Sequence, residues 1–262
     1  MHVGHRKLLS RAKEFSLPVG VTSIVGGKGK SLFTEKERER VFSGLGIDFV
    51  FSLSFEKIRE LSPEAFIGLL EEEFSPSVFV CGEDFRFGFQ AAGTPETLKR
   101  TGQVRVEVVE LLEINDEKVS ASRIKTHLSS GEVEEANALL GETFFLEGEV
   151  FPDRRIGRTI GFPTANIAYP KGKFPLKKGV YQTEITVNGV SYQGITNYGA
   201  RPTFDDETVC TETYIDGFSG DLYGKRLKIN FLRFLREIKK FDGVDGLKEQ
   251  LQADIRRIRD YD

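Results

Sequence analysis

Chemistry-bearing residue types cluster in a few short stretches of this 262-residue chain. The stretch DRRIGRTIGFPTAN, Asp153 to Asn166, carries three arginines, two glycines and a proline, ending in Thr164-Ala165-Asn166. In an extended segment residues i and i+2 share a face, so the Thr164 hydroxyl and the Asn166 amide oxygen can address one point. Neutral hard oxygens of this kind suit Mg²⁺ held jointly with substrate phosphates. Gly157 and Gly161 would let the backbone approach a phosphate, with Arg154, Arg155 and Arg158 countering its charge. The same residues also read as an arginine-rich surface hairpin with a capped turn, and their types alone leave both readings open. A second stretch, His2-Val3-Gly4-His5, places two of the chain's three histidines on what reads as the first turn of a helix. A third, SASRIK from Ser120 to Lys125, puts Ser120 and Ser122 at a helix start, where hydroxyls and backbone N–H groups can bind phosphate.

Two further stretches resemble functional motifs but fail on their spacing. IVGGKGKS, Ile24 to Ser31, follows a strand pattern and ends Gly-Lys-Ser like a P-loop, yet Ile24 stands where the leading glycine belongs. It reads better as a solvated basic loop. Asp242, in the FDGV segment at Phe241 to Val244, is expected to cap the following helix.

The elements that must position these residues fall into two halves. Up to about residue 140, apolar strands alternate with helices: VGVTSIV, DFVFSLSF, PSVFVCG and VRVEVVELLE are strand-like. Thr34 and Glu37 form a capping box, and Ser62 caps a helix with Pro63 at its first position. This alternation predicts βαβ units, an α/β domain with a mostly parallel sheet and helices on both faces. From about residue 144 the period shortens. FFLEGEVF, VYQTEITVNG, VSYQGITNYG, VCTETYI and KRLKINFLRFL read as strands, with a hairpin turn at Asn188-Gly189. Leu247, Leu251, Ile255 and Ile258 recur at helical spacing. A small antiparallel β-barrel with one terminal helix is expected. The domains are therefore 1–142 and 143–262.

Composition narrows the class. A net charge of −3 argues against a broad nucleic-acid surface. No apolar run approaches the roughly 18 residues of a membrane span, and no secretory leader pattern opens the chain. Cys81 and Cys210 are too far apart for metal-ligand spacing and read as small buried apolar residues in a reducing compartment. The expectation is a cytoplasmic protein.

Against these residues a resemblance is specific. The runs GRTIGFPTAN, GITNYGARPTF, TETYIDGFSGDLYG and INFLRFLREIKKF are similar, in order and spacing, to bacterial riboflavin kinases. The resemblance implies that Thr164 and Asn166 bind Mg²⁺·ATP and that Glu212, in TETYI, is the catalytic base. A ribityl hydroxyl attacking a γ-phosphoryl group needs such a proton acceptor beside a neutralised phosphate. Asn197 and Arg201 fall in a flavin- or nucleotide-facing loop by the same resemblance. Taken without it, Glu212 is one of 40 acidic residues.

The first half resembles the FMN adenylyltransferase domain that accompanies these kinases, through CGEDFRFG (Cys81 to Gly88), VSASRIK (Val119 to Lys125) and HVGH. The resemblance implies that His2 and His5 stabilise an adenylyl phosphate in transfer, with Ser120, Ser122 and Lys125 on the phosphates. The match departs from the family motif in places. Ala121 and Ser122 replace a serine and a threonine, and Lys125 replaces an arginine, keeping charge but losing its bidentate fork. In the family a strand ending Phe-Asp-Gly-Val precedes the first histidine, and Met1 stands where it would end. A sheet without that central strand is expected, with FMN accumulating and little FAD made. The whole implies a bifunctional riboflavin kinase/FMN adenylyltransferase, the bacterial FAD synthetase type. Its substrates and products are riboflavin, FMN, FAD and ATP, with Mg²⁺ and with no nucleic-acid or membrane partner. The rivals are a chain active as kinase alone and a non-catalytic flavin or nucleotide sensor. Intact Thr164, Asn166 and Glu212 weigh against the sensor.

Overall fold

The local signals read from the sequence set most element boundaries. In the computed structural model, which describes residues 1–27, 29–152, 161–200 and 209–260, helix α2 (Glu35–Gly44) starts on the Thr34/Glu37 capping box. Thr34 Oγ1 accepts from the Glu37 N–H, and the Glu37 carboxylate accepts from the Thr34 N–H. Helix α4 (Pro63–Phe74) starts on Ser62, with proline at its first turn where a missing N–H costs nothing. The chain divides into two compact units, Met1–Ser120 and Ala121–Asp262.

The first unit alternates helices and parallel strands. It contains α1 (Val3–Lys13), β1 (Gly20–Val25), α2, β2 (Phe49–Ser54), the short α3 (Phe55–Ile58) and α4. There follow β3 (Val78–Gly82), α5 (Pro95–Thr101), β4 (Arg105–Val109), and a small hairpin, β5 (Glu113–Ile114) and β6 (Glu117–Lys118). Strand β1 pairs with β2 and β3 with β4, both in parallel. Among the described residues no strand bridges these two pairs. Ile58, Phe66, Ile67, Leu70, Cys81, Phe87 and Leu98 form one core cluster between the helices and β3–β4. The β5–β6 hairpin was not anticipated. Its two-residue loop, Asn115-Asp116, has φ of 55° and 58°, the left-handed pair that a tight hairpin turn requires.

The second unit opens with α6 (Ala121–Ser130) and α7 (Val133–Leu140) and continues into six antiparallel strands. These are β7 (Phe145–Glu149), β8 (Thr164–Ala168), β9 (Gly179–Val187), β10 (Val190–Ala200), β11 (Val209–Ile215) and β12 (Arg226–Arg236), in sheet order β7-β12-β9-β10-β11-β8. The Phe151 N–H donates to the Asn166 carbonyl at 3.0 Å and closes the sheet toward a barrel. Asn188 and Gly189, both at positive φ, make the expected hairpin turn between β9 and β10. Helices α6 and α7 join this unit although the alternating pattern of the sequence runs through them. The reason is Asn137, whose amide spans from the Phe144 N–H (2.7 Å) to the Phe231 carbonyl (2.9 Å) and ties α7 to the barrel.

One barrel face is interior and carries a chain of hydroxyls, Thr183 to Thr196 (2.8 Å) and Thr196 to Thr213 (2.9 Å), all fully buried. The other face is partly covered by α8 (Val244–Arg259), whose Ile255 and Ile258 pack with Val180, Ile195 and Leu235. Asp242 does not cap this helix: the N-cap is Gly243, with no side-chain cap bond. The helix begins one residue later than expected, so Asp242 lies before the capping position, where its side chain does not serve as the N-cap.

Candidate active sites

Strand register assembles the first site. Asn166 on β8 faces Glu212 on β11, and Glu212 faces Asn197 on β10. Three residues separated by up to 46 positions in the chain thus form one row across three neighbouring strands. In such a row adjacent Cα atoms are about 4.5–5.5 Å apart. Thr164 lies two residues before Asn166 on the same face of β8, and its hydroxyl donates to Glu212 Oε1 at 3.2 Å. That bond uses the Thr164 proton and leaves the oxygen lone pairs for another partner. Asn166 is 3 % exposed, so its amide is held in the wall of the barrel, where the strand-closing bond to Phe151 fixes its backbone. On the far side of Glu212, Asn197 Oδ1 is buried and has no hydrogen-bond partner among the described residues. Phe162 and Tyr214 meet edge to face at 5.5 Å on this same face.

The donor set fits a hard divalent cation held with phosphates: a hydroxyl, a carboxamide oxygen and a neighbouring carboxylate. No cluster of three or more His, Cys, Asp or Glu that could hold a metal by itself occurs among the described residues. Gly161, just before β8, has φ of +86° with open space where a Cβ would point, the backbone freedom expected of a loop that approaches a ligand. Gly157, Arg154, Arg155, Arg158 and Arg201 lie outside the described residues.

The second site stands at the start of α1. His2 is the N-cap, and its Nδ1 accepts from the His5 N–H at 3.3 Å. This bond sets the tautomer: the proton of neutral His2 sits on Nε2. The two imidazoles stack with centroids 3.7 Å apart. A Cβ on Gly4 would come within 3.1 Å of the His2 ring, so the ring folds back only because residue 4 is glycine. Burial, then the neighbouring His5, the N-terminal ammonium and last Lys118, push His2 down to about 3, with Asp84 opposing. His5 keeps an accessible edge, yet the desolvation of its ring pulls it down to about 4. Both rings are neutral at neutral pH and can act as N–H donors at an N-terminal helix end.

Two residues not singled out in the sequence join this pair. Asp84 follows β3 in the CGEDFRFG stretch and makes an ion pair with Lys118 at the end of the β5–β6 hairpin. The quoted motif contained Asp84, but no spacing argument could link it to a lysine 34 residues later. The remaining predicted phosphate residues divide between the units. Ser120 is the last residue of the first, whereas Ser122 and Lys125 lie on α6 in the second. Ser122 is exposed, and the Lys125 ammonium stands 5.3 Å from the centroid of the Phe174 ring. Ile24, Gly26 and Gly27 of the P-loop-like stretch are at the end of β1 and the loop after it, with Lys28 outside the described residues.

Comparison with known proteins gives two family matches. A riboflavin kinase model matches residues 140–261 and an FAD synthetase model residues 1–123. The chain is 33 % identical to the bifunctional riboflavin kinase/FMN adenylyltransferase of Bacillus subtilis, over 97 % of this chain and 87 % of that one. It is 31 % identical to the Listeria monocytogenes protein of the same name, over 100 % and 89 %. A crystal structure described as a macrolide-efflux protein from Streptococcus pneumoniae superposes with a TM-score of 0.90 at 28 % identity, covering 100 % of this chain and 91 % of that one. Among the described residues no helix is long and apolar enough to cross a membrane.

Proposed function

The chain belongs to the bifunctional riboflavin kinase/FMN adenylyltransferase family, and from that premise we propose how its residues divide the two reactions. It is an enzyme that phosphorylates riboflavin to FMN and adenylylates FMN to FAD, using ATP in both steps. Phosphoryl transfer belongs to residues 143–262 and adenylyl transfer to residues 1–142.

In the kinase step Glu212 accepts the proton of the terminal ribityl hydroxyl as its oxygen bonds the γ-phosphorus and ADP leaves. Thr164 and Asn166 would hold Mg²⁺, which when bound neutralises phosphate charge. Thr164 also orients the Glu212 carboxylate through its hydroxyl bond. Asn197 Oδ1, on the opposite side of Glu212 from Asn166, accepts a hydrogen bond from a ribityl hydroxyl and so binds the flavin chain. Arg201, Gly157, Gly161 and Arg158 are assigned to flavin and phosphate on the motif match. The observation that carries the kinase reading is the row Asn166–Glu212–Asn197 with Thr164 bonded to its centre.

In the second step a phosphate oxygen of FMN bonds the α-phosphorus of ATP and pyrophosphate leaves. Neutral His2 and His5 donate N–H bonds to the charge developing there, and Ser120, Ser122 and Lys125 are assigned to phosphate on the motif match. The buried cysteines Cys81 and Cys210 and ATP dependence suit the cytoplasm, with small molecules rather than nucleic acid or membrane as partners.

Chromatography of the flavins tests the division. From riboflavin, ATP and Mg²⁺ the chain yields FMN and then FAD. Glu212→Gln stops both from riboflavin but leaves FAD formation from supplied FMN, and His5→Ala lets FMN accumulate. FMN formation undiminished in Glu212→Gln places the base elsewhere, and a chain that makes FMN but no FAD is a kinase alone.

A further inference from the structure

The two histidines by themselves bring no positive charge to the adenylyl-transfer site. A nucleoside triphosphate brings several negative charges to the reacting centre, whereas two neutral imidazoles supply only dipoles. Lys125, the cation assigned to phosphate on the motif match, stands on α6 with its ammonium over the Phe174 ring. In the first unit the β5–β6 hairpin carries another. We propose that Lys118 is the phosphate-directed cation of the adenylyl-transfer site, presented by this hairpin and oriented by Asp84. The inference rests on the reading of His2 and His5 as that site.

Lys118 is placed from several directions. The Lys118–Glu113 pairing and the left-handed Asn115-Asp116 loop make its hairpin short and stiff. The next residue, Val119, is 3 % exposed, and its N–H bonds the Leu112 carbonyl at 2.9 Å. The Val119 carbonyl lies 3.9 Å from the position of a Cβ on Gly4, so the end of the hairpin abuts the helix turn that carries both histidines. Asp84 comes from beyond the carboxyl end of β3, the end of a parallel sheet where ligands bind. Its Oδ1 lies 3.0 Å from where a Cβ on Gly82 would be, and the missing side chain leaves room for the carboxylate. Lys118 also helps to lower His2 and Asp84 opposes it, as charges near the ring would.

The ion pair is not explained by stability. Its side chains are 42 % and 45 % exposed, and pairs in that setting contribute little to folding. A lysine ammonium has three donors, and Asp84 engages one while directing the others. An arriving phosphate oxygen would therefore meet a cation already held beside the histidine rings.

The test measures initial rates of FAD formation from supplied FMN at varied ATP, with FMN formation from riboflavin by the same preparation as the folding control. Lys118→Ala is expected to raise the KM for ATP in FAD formation by roughly 10- to 100-fold, the range of a lost charge-assisted bond. FMN formation stays unchanged and Lys118→Arg recovers most of the affinity. The proposal is overturned if Lys118→Ala matches the unsubstituted chain while His5→Ala abolishes FAD formation, or if Lys118→Arg is as impaired as Lys118→Ala. Should the alanine variant lose both activities, Lys118→Gln decides, since full ATP affinity with a neutral side chain also overturns it. If His5→Ala leaves FAD formation intact, the histidine site itself is wrong, and that outcome is distinct from the others.

Discussion

The oxygen cluster of the barrel and the histidine pair of the first unit are built from different parts. In the barrel, Asn166, Glu212 and Asn197 stand on three hydrogen-bonded strands. Their spacing is set by the ladder itself, and moving one means breaking backbone bonds. The histidine pair stands on a helix start, with Asp84 on a loop and Lys118 on a two-residue hairpin strand. There the arrangement depends on one capping bond, a ring stack and a half-exposed ion pair. The first site is held by register and the second by side-chain contacts and local electrostatics. Substitutions in the barrel should thus act on chemistry alone or on the whole unit, whereas those near the histidines should act in grades.

The largest expected effect is on the base. Glu212→Gln keeps shape and register but removes the proton acceptor, so FMN turnover should fall by about 10²–10⁴ with little change in the KM for riboflavin. Steady-state kinetics decide it, and equal turnover would make Glu212 a structural member of the row.

Next comes the clamp behind the site. Arg236 on β12 grips Asp254 on α8 through Nε (3.1 and 3.0 Å) and Nη2 (2.7 Å), with the carboxylate nearly buried. Asp254→Ala leaves that guanidinium unpaired, and breaking a buried pair in this way costs about 3–5 kcal/mol. Thermal denaturation should register the loss, with FMN formation inactivating on heating before FAD formation does. Simultaneous inactivation would mean that the barrel and the histidine site fail as one.

A smaller effect is expected at Asn166. Removing an outer hydrogen-bond partner from a metal site costs roughly 10- to 100-fold, and Asn166→Ala should lower apparent Mg²⁺ affinity in FMN formation by at least that much. Because Asn166 is 3 % exposed, its truncation also removes buried packing, which lowers stability. A Mg²⁺ titration of FMN formation beside a melting curve separates the two. Unchanged Mg²⁺ dependence would remove Asn166 from the metal.

The smallest effect is one of pH. His2 at about 3 and His5 at about 4 both lie below the ordinary 6.5. Between those values the unfolded chain binds more protons than the folded one. Their contribution to stability is therefore complete above pH 6.5 and declines as pH falls toward 4 and then 3. In an NMR titration two of the three imidazole Cε1 protons should not shift between pH 8 and 5. A midpoint near 6.5 for either would show that its ring is solvated and that the stacked, desolvated pair is wrong.

Much of this was legible in the residues. The capping box at Thr34 and Glu37, the Ser62 cap, the Asn188-Gly189 turn and the Ile255/Ile258 stripe are local signals, and the structure follows each. The Asp242 cap failed because caps depend on backbone angles one residue either way, and Gly243 took the position. The PTAN stretch offered Thr164 and Asn166 together because they are two residues apart on one strand. Their burial was not readable, since polar side chains in a barrel wall look like those on any exposed strand.

What the sequence by itself determined is therefore local or carried by long motifs: the two alternating grammars, the helix starts, the PTAN oxygens and the likeness of its motifs to a flavin-forming family. Only the tertiary structure decided which distant residues share a point. Glu212 met Asn166 and Asn197 through β-sheet register, and a one-residue slip would have turned every side chain to the opposite face. Lys118 met Asp84 across a chain separation that no periodicity encodes. The neutral state of His2 and His5 arose from desolvation, which depends on what surrounds a ring once the chain has folded.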